Sequence, residues 1–151
     1  MTQVSIVIPT LNEAGNIDPL LTRLCELGLP AESFEIIFVD DSSSDGTSAK
    51  VRAWEKRANV RLIERRDKPD LIRSVLAGAA AAHGKVIVVM DADLSHPPER
   101  LPALIAPVLD GSCDIAIGSR YVPGGGTEGG SLPRQWLSRL ANWLARLLCD
   151  V

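Results

Sequence analysis

The chain is 151 residues long, 46% hydrophobic and 23% charged, which suits one globular domain able to bury a real core. Its formal net charge of −3 argues against a nucleic-acid partner, which shows as a basic stripe. The start MTQVSIVIPTLNE lacks the basic region and apolar length of a signal peptide, and no window holds the ~18 uncharged apolar residues of a membrane span.

The first short apolar run, VSIVIP (4–9), leads into PTLNE. AGNIDPLLTRLCELG (14–28) then places Ile17, Leu20, Leu21, Leu24 and Leu27 at helical spacing and stops at Gly28. A second strand, FEIIFVD (34–40), ends in DDSSSDGT, whose Ser44 and Asp45 can cap a helix over 44–58 while Gly46 permits the turn. VRLIER (60–65) is a third strand; the basic run KRANVRLIERRDK around it, broken by acids, reads as a solvated surface. A helix over 68–84 ends on Gly84, and KVIVVMD (85–91) follows as a fourth strand running into DADLSH. PPERLPALIAPVLDG (97–111) opens with prolines and ends on Gly111, the asymmetry of a helix, with Pro102 and Pro107 expected to kink or shorten it. CDIAIGS (113–119) reads as a fifth strand leading to GSRY. The Gly-rich stretch PGGGTEGGSLP (123–133) precedes a helix whose Trp136, Leu140, Trp143 and Leu147 make one apolar stripe. Cys25, Cys113 and Cys149 lack metal-ligand spacing and read as reduced thiols in the cytoplasm.

Continuous apolar runs of four to six residues suit strands covered on both faces, and the β-α-β-α alternation implies an open, mostly parallel sheet with helices on both faces. Ligands of such sheets bind outside the carboxyl ends of the strands. That edge would gather PTLNE, DDSSSDGT, DADLSH and GSRY.

Extended backbone has a side-chain period of two, so Asp91 and Asp93 project to the same side. Two like charges held together need a positive partner, and Mg2+ or Mn2+ with phosphate and water as further ligands is the natural one. Alternatively, Asp93 or Ser95 caps the helix beginning near Pro97. Asp41 ends the second strand where acidic residues of nucleotide folds accept hydrogen bonds from base or ribose, and no G-x-G-x-x-G follows the first strand. Arg120 in GSRY can reach a diphosphate through a planar fork. His96 reads as structural or as supporting the acids, and no Ser-His-Asp order, Cys-His pair or zinc spacing occurs.

VSIVIPTLNEAGNI, IIFVDDSSSDGT, VVMDADLSHPPE and IGSRYVPGG resemble, in order and spacing, the inverting family 2 glycosyltransferases. The similarity is greatest to the branch that makes polyprenol-phosphate mannose or glucose (dolichyl-phosphate mannosyltransferase-like). The resemblance implies a GT-A (Rossmann-like) fold over 1–151, with the nucleotide-sugar part in 1–122 and a Gly-rich loop and amphipathic helix in 123–151. It implies Mg2+ or Mn2+, a nucleotide-diphosphate sugar such as GDP-mannose or UDP-glucose, and a polyprenyl phosphate acceptor. By position, Pro9, Leu11 and Glu13 line the nucleotide pocket, with Val39 and Asp41 at base and ribose. Asp91, Ala92 and Asp93 form the D-x-D region whose aspartates act through the metal, and Ser95 stands where many relatives have Gln. Arg120 and Arg134 correspond to arginines that contact the diphosphate or the acceptor phosphate. The helix within 133–149 resembles one lying on the cytoplasmic face of a membrane.

Two features depart from the family pattern. DKPDLIRSVLAG replaces the glycine-containing segment after the third strand, and the chain stops at CDV where relatives continue, which reads as a truncated catalytic domain. The expected reaction is direct displacement with inversion by an anionic acceptor phosphate, which requires no general base. A sugar-hydroxyl acceptor would require one. A phosphatase of the haloacid-dehalogenase type is disfavoured, because its D-x-D ends the first strand. A nucleotide-sugar-binding module without turnover is the non-enzymatic alternative.

Overall fold

The computed structural model describes residues 2–28, 33–119 and 122. The chain divides into two compact units, Met1–Ala116 and Ile117–Val151, and the architecture below is that of the first. Strands β1 (Val4–Thr10), β2 (Phe34–Asp41), β3 (Val60–Arg65) and β4 (Val86–Val89) form one sheet in the order β3-β2-β1-β4. Every pairing is parallel, so the carboxyl ends of the strands share one edge. β1 and β2 are buried along their whole length, as their unbroken apolar runs foretell.

Alternation across the strands divides the core in two. Ile6, Ile8, Ile36 and Phe38 face α1 (Ala14–Cys25), α2 (Thr47–Trp54) and α4 (Leu101–Leu109), whose Leu20, Leu24, Val51 and Ile105 complete the larger cluster. Val7, Ile37 and Val39 face the other way, against Ala77 and Ala82 at α3 (Leu71–Ala81). α3 lies close because its inward positions are small: Ser74 and Gly78 are its buried residues. A Cβ on Gly78 would come within 2.3 Å of Val7 Cγ1.

The same face holds a buried polar cluster. Glu35, 3% exposed, accepts from Ser5 Oγ and the His83 N–H, both at 2.7 Å, and from Arg61 at 3.1 Å. It ties β1, β2 and β3 to the turn between α3 and β4.

The expected elements shift in places. The fourth strand covers only Val86–Val89 and leaves Ile87 and Val89 exposed on its α3-side face, so it is covered on one side rather than two. A 3₁₀ turn, Pro98–Arg100, precedes α4, which ends at Leu109. Pro102 falls in its first turn, where a missing N–H costs nothing. The fifth strand expected over 113–119 does not form: 115–119 have no regular structure, and Ile115 and Ile117 are 76% and 82% exposed. Apolar alternation supplies a strand's pattern, but a strand exists through the ladder it shares with a neighbour. No described residue pairs with this segment. Among the described residues no helix is long and apolar enough to cross a membrane.

Candidate functional site

A cleft of about 350 Å³ opens at the carboxyl edge of the sheet. β1 and its exit loop contribute Pro9, Thr10, Leu11 and Glu13, and β2 contributes Asp41. Pro69, Asp70, Leu71 and Ser74 come from the start of α3, and Asp91, Ala92 and Asp93 from the loop after β4.

The two loops beside β1 and β2 are stitched together. Asn12 receives the Ser44 N–H at 2.9 Å and donates its own N–H to Ser43 Oγ at 2.8 Å. Asp45 accepts from the Ala14 N–H at 2.9 Å and from the Thr47 N–H at 3.0 Å. Bonding to the Thr47 hydroxyl, then to the Ala14 N–H, holds the Asp45 carboxyl below the ordinary aspartate range. Asp40 is turned away from the cleft to Thr10, Ser43 and Ser48. Adjacent acids on β2 therefore have different tasks: Asp40 builds the loop, and Asp41 lines the cavity.

Asp91 and Asp93 line the same cavity with Ala92 buried between them, as alternation predicts, although this segment is a loop beyond the strand. Asp93 accepts from the Ser95 N–H at 2.9 Å. The Ser95 hydroxyl, then the Ser95 N–H, and the nearby His96 hold its carboxyl below the ordinary range against partial burial. His96 Nδ1 accepts from the Asp91 N–H at 3.3 Å, the supporting role expected of it. Among the described residues no group of three His, Cys, Asp or Glu could hold a metal. The donor set is thus two exposed carboxylates facing one cavity. That fits a hard divalent cation completing its shell with phosphate and water, and not a closed structural metal site.

Among the described residues, three non-glycine positions have left-handed backbone, Asn12 (φ 58°), Ser42 (φ 67°) and Leu94 (φ 61°). Each directly follows a cleft residue: Leu11, Asp41 and Asp93. Asn accepts this conformation readily; Ser and Leu adopt it under constraint. Ser42 Oγ donates to the Arg65 carbonyl at 2.7 Å, and Leu94 packs on the larger core cluster.

Of the expected site residues, Pro9, Leu11, Glu13, Asp41, Asp91, Ala92 and Asp93 converge on the cleft. Val39 does not line it, being wholly buried beneath α3, and Ser95 stands behind Asp93 as its hydrogen-bond donor. Arg120 and Arg134 lie outside the described residues. Sequence reasoning missed Thr10, Pro69, Asp70, Leu71 and Ser74, together with Arg65 behind them. Arg65 was assigned to a solvated basic run, yet its side chain is only 9% exposed and pairs with Asp41 at 2.6 Å. The signal that could have found it is register, since Asp41 and Arg65 are direct neighbours across β2 and β3.

An open parallel sheet with helices on both faces and an acidic cleft at its carboxyl edge is the arrangement of a GT-A nucleotide-diphospho-sugar transferase fold, which the chain shares with solved glycosyltransferases. The chain belongs to glycosyl transferase family 2, whose family model matches residues 5–148. It is 42% identical over 145 residues to a dolichol-phosphate mannosyltransferase of Pyrococcus furiosus, covering 96% of this chain and 41% of that protein. A dolichol-phosphate mannosyltransferase of Saccharomyces cerevisiae is 39% identical over 150 residues, covering 97% of this chain and 55% of that protein. Among solved structures, a mannosyltransferase from Pyrobaculum calidifontis in complex with GDP-Man and Mn2+ superposes with a TM-score of 0.61 at 29% identity. That match covers 67% of this chain and 30% of the other. The chain spans about half the length of the curated relatives it matches.

Proposed function

We propose that this protein transfers a hexose from a nucleotide-diphosphate sugar to a polyprenyl phosphate, with inversion at the anomeric carbon. The observation that carries the proposal is the convergence of Asp41, Asp91 and Asp93 on one cleft at the carboxyl edge of a parallel sheet. The names of the relatives favour mannose as the sugar and a dolichol-type phosphate as the acceptor. One structural neighbour holds GDP-Man with Mn2+ and another holds UDP with Mn2+; both support a divalent cation, and the mannose in the relatives' names is what favours GDP-mannose as the donor to test first.

In this reading Asp41 accepts hydrogen bonds from the base or ribose, and Leu11, 45% exposed, offers a planar ring an apolar surface. Pro9 and Glu13 close the nucleotide side, while Arg120 and Arg134 contact the diphosphate or the acceptor phosphate. Asp91 and Asp93 are the residues that would hold Mg2+ or Mn2+, which when bound supplies positive charge to the departing diphosphate. An acceptor phosphate is already anionic, so the cleft needs to orient it and exclude water rather than remove a proton. The absence of an obvious general base from the expected site residues is consistent with that. Residues 133–149, with their apolar stripe, are proposed to rest on the cytoplasmic face of the membrane carrying the lipid.

Calorimetric titration with GDP-mannose and UDP-glucose, with and without Mn2+, tests the assignment. Wild-type protein should bind one donor in a metal-dependent way, and Asp93→Ala should weaken that binding by at least about a hundredfold. Equal binding by both proteins in the presence of EDTA would reject the metal assignment.

A further inference from the structure

Two acids of β2 lie on the α3 side of the sheet, and each meets an arginine of β3: Glu35 with Arg61, and Asp41 with Arg65. Their hydrogen-bond inventories differ. An ionised carboxylate offers about four acceptor positions. Glu35 receives three protein donors, Ser5 Oγ, the His83 N–H and Arg61, and His83 Nδ1 stands between Arg61 at 3.1 Å and Glu35 at 3.3 Å. Asp41 receives two donors among the described residues, Arg65 on Oδ1 and the Asp70 N–H on Oδ2, both at 2.6 Å. One acceptor position on each oxygen is left over. Glu35 does not line the cleft; Asp41 does, though its side chain is 6% exposed.

The same Arg65 nitrogen also reaches the Asp70 carbonyl at 3.2 Å and Ser74 Oγ at 3.0 Å. One buried guanidinium thereby joins the end of β2 to the first turn of α3, where Asp70 caps the helix by accepting the Arg73 N–H. Asp70 and Ser74 are cleft residues too.

We infer that Arg65 is a positioning residue for nucleoside recognition: it fixes the Asp41 carboxylate so that its two free acceptor positions face the bound base or ribose. This rests on reading the cleft as a nucleotide-diphosphate-sugar site. Arg65 touches no ligand and acts through Asp41 and the helix start. All three contacts come from one terminal nitrogen of Arg65; lysine keeps the charge and a donor nitrogen but lacks the rigid guanidinium plane that fixes the direction of its hydrogens.

The experiment titrates the intact protein with GDP and UDP in Mn2+, and with Mn2+ and pyrophosphate as a probe of the phosphate end alone. Arg65→Met should weaken the preferred nucleotide roughly tenfold to a hundredfold, and Arg65→Lys by less. Pyrophosphate affinity should be unchanged in both. In an Asp41→Asn background, adding Arg65→Met should cause no further nucleotide loss, the coupling expected of residues that act as a unit. Equal losses for nucleotide and pyrophosphate, additive losses in the cycle, or unaltered nucleotide binding by Arg65→Met would each overturn the inference. Should the Met variant not fold, Arg65→Lys decides: a nucleotide-selective loss supports the inference, and an equal loss or none overturns it. Wild-type protein that binds pyrophosphate but neither nucleotide overturns the reading of the cleft itself, and the inference with it.

Discussion

On one side of the sheet, α1, α2 and α4 close over a large apolar cluster that includes Phe38, Ile8 and Leu20, all fully buried. On the other, α3 meets three buried residues, Val7, Ile37 and Val39, while Ile72, Leu76, Ile87 and Val89 stay exposed. What holds α3 in place is mostly polar. Arg65 and Asp41 pin its first turn, Glu35 gathers Arg61 and His83 beside its last turn, and Gly78 lets its middle settle on Val7. Apolar packing is non-directional and sets how much a helix is held; hydrogen bonds to fixed acceptors set where. The element whose first turn lines the cleft is the one held by direction.

That contrast can be broken from either side. Phe38→Ala, on the apolar side, should give the largest loss of stability, about 3–5 kcal/mol by urea denaturation. In the fraction that remains folded, nucleotide affinity should be little changed. Glu35→Gln should cost about 2–3 kcal/mol, discounted because Arg61 and His83 are themselves 40% and 69% exposed. Burial pushes the Glu35 carboxyl up, but bonds from Ser5, His83 and Arg61 outweigh it and hold the group below its ordinary 4.5. Because the folded value is the lower one, this stabilisation is complete above 4.5 and disappears as pH falls through the folded value. The gap between wild type and Glu35→Gln should therefore be flat from neutral pH downward and close only in acid. Gly78→Ala should be the mildest, about 1–2 kcal/mol, since the gain in helix propensity partly offsets the clash with Val7. Its signature should be weaker binding of the proposed nucleotide as α3 lifts. Unchanged binding would show that the placement of α3 does not govern the cleft.

The same contrast explains what the sequence disclosed. β1 and β2 announce themselves because burial on both faces leaves an unbroken apolar run. Residues 113–119 carry a strand's pattern, yet Ile115 is exposed and no described neighbour pairs with the segment; a ladder is a property of two segments, invisible in one. That Asp91 and Asp93 share one cleft was legible, because a side-chain period of two sends both to the same side. Arg65 was not, because between Glu64 and Arg66 it looks like any surface charge. Only its pairing opposite Asp41 separates it from exposed Arg66.

The left-handed bends at Asn12, Ser42 and Leu94 are held by Ser43 and Ser44, by the Arg65 carbonyl and by core packing respectively. Conformations imposed on a chain by its surroundings relax when the surroundings soften. Gentle warming should then unfasten the rim before the strands part, and a sample whose far-ultraviolet dichroism still looks native would already have lost the shape of its cleft.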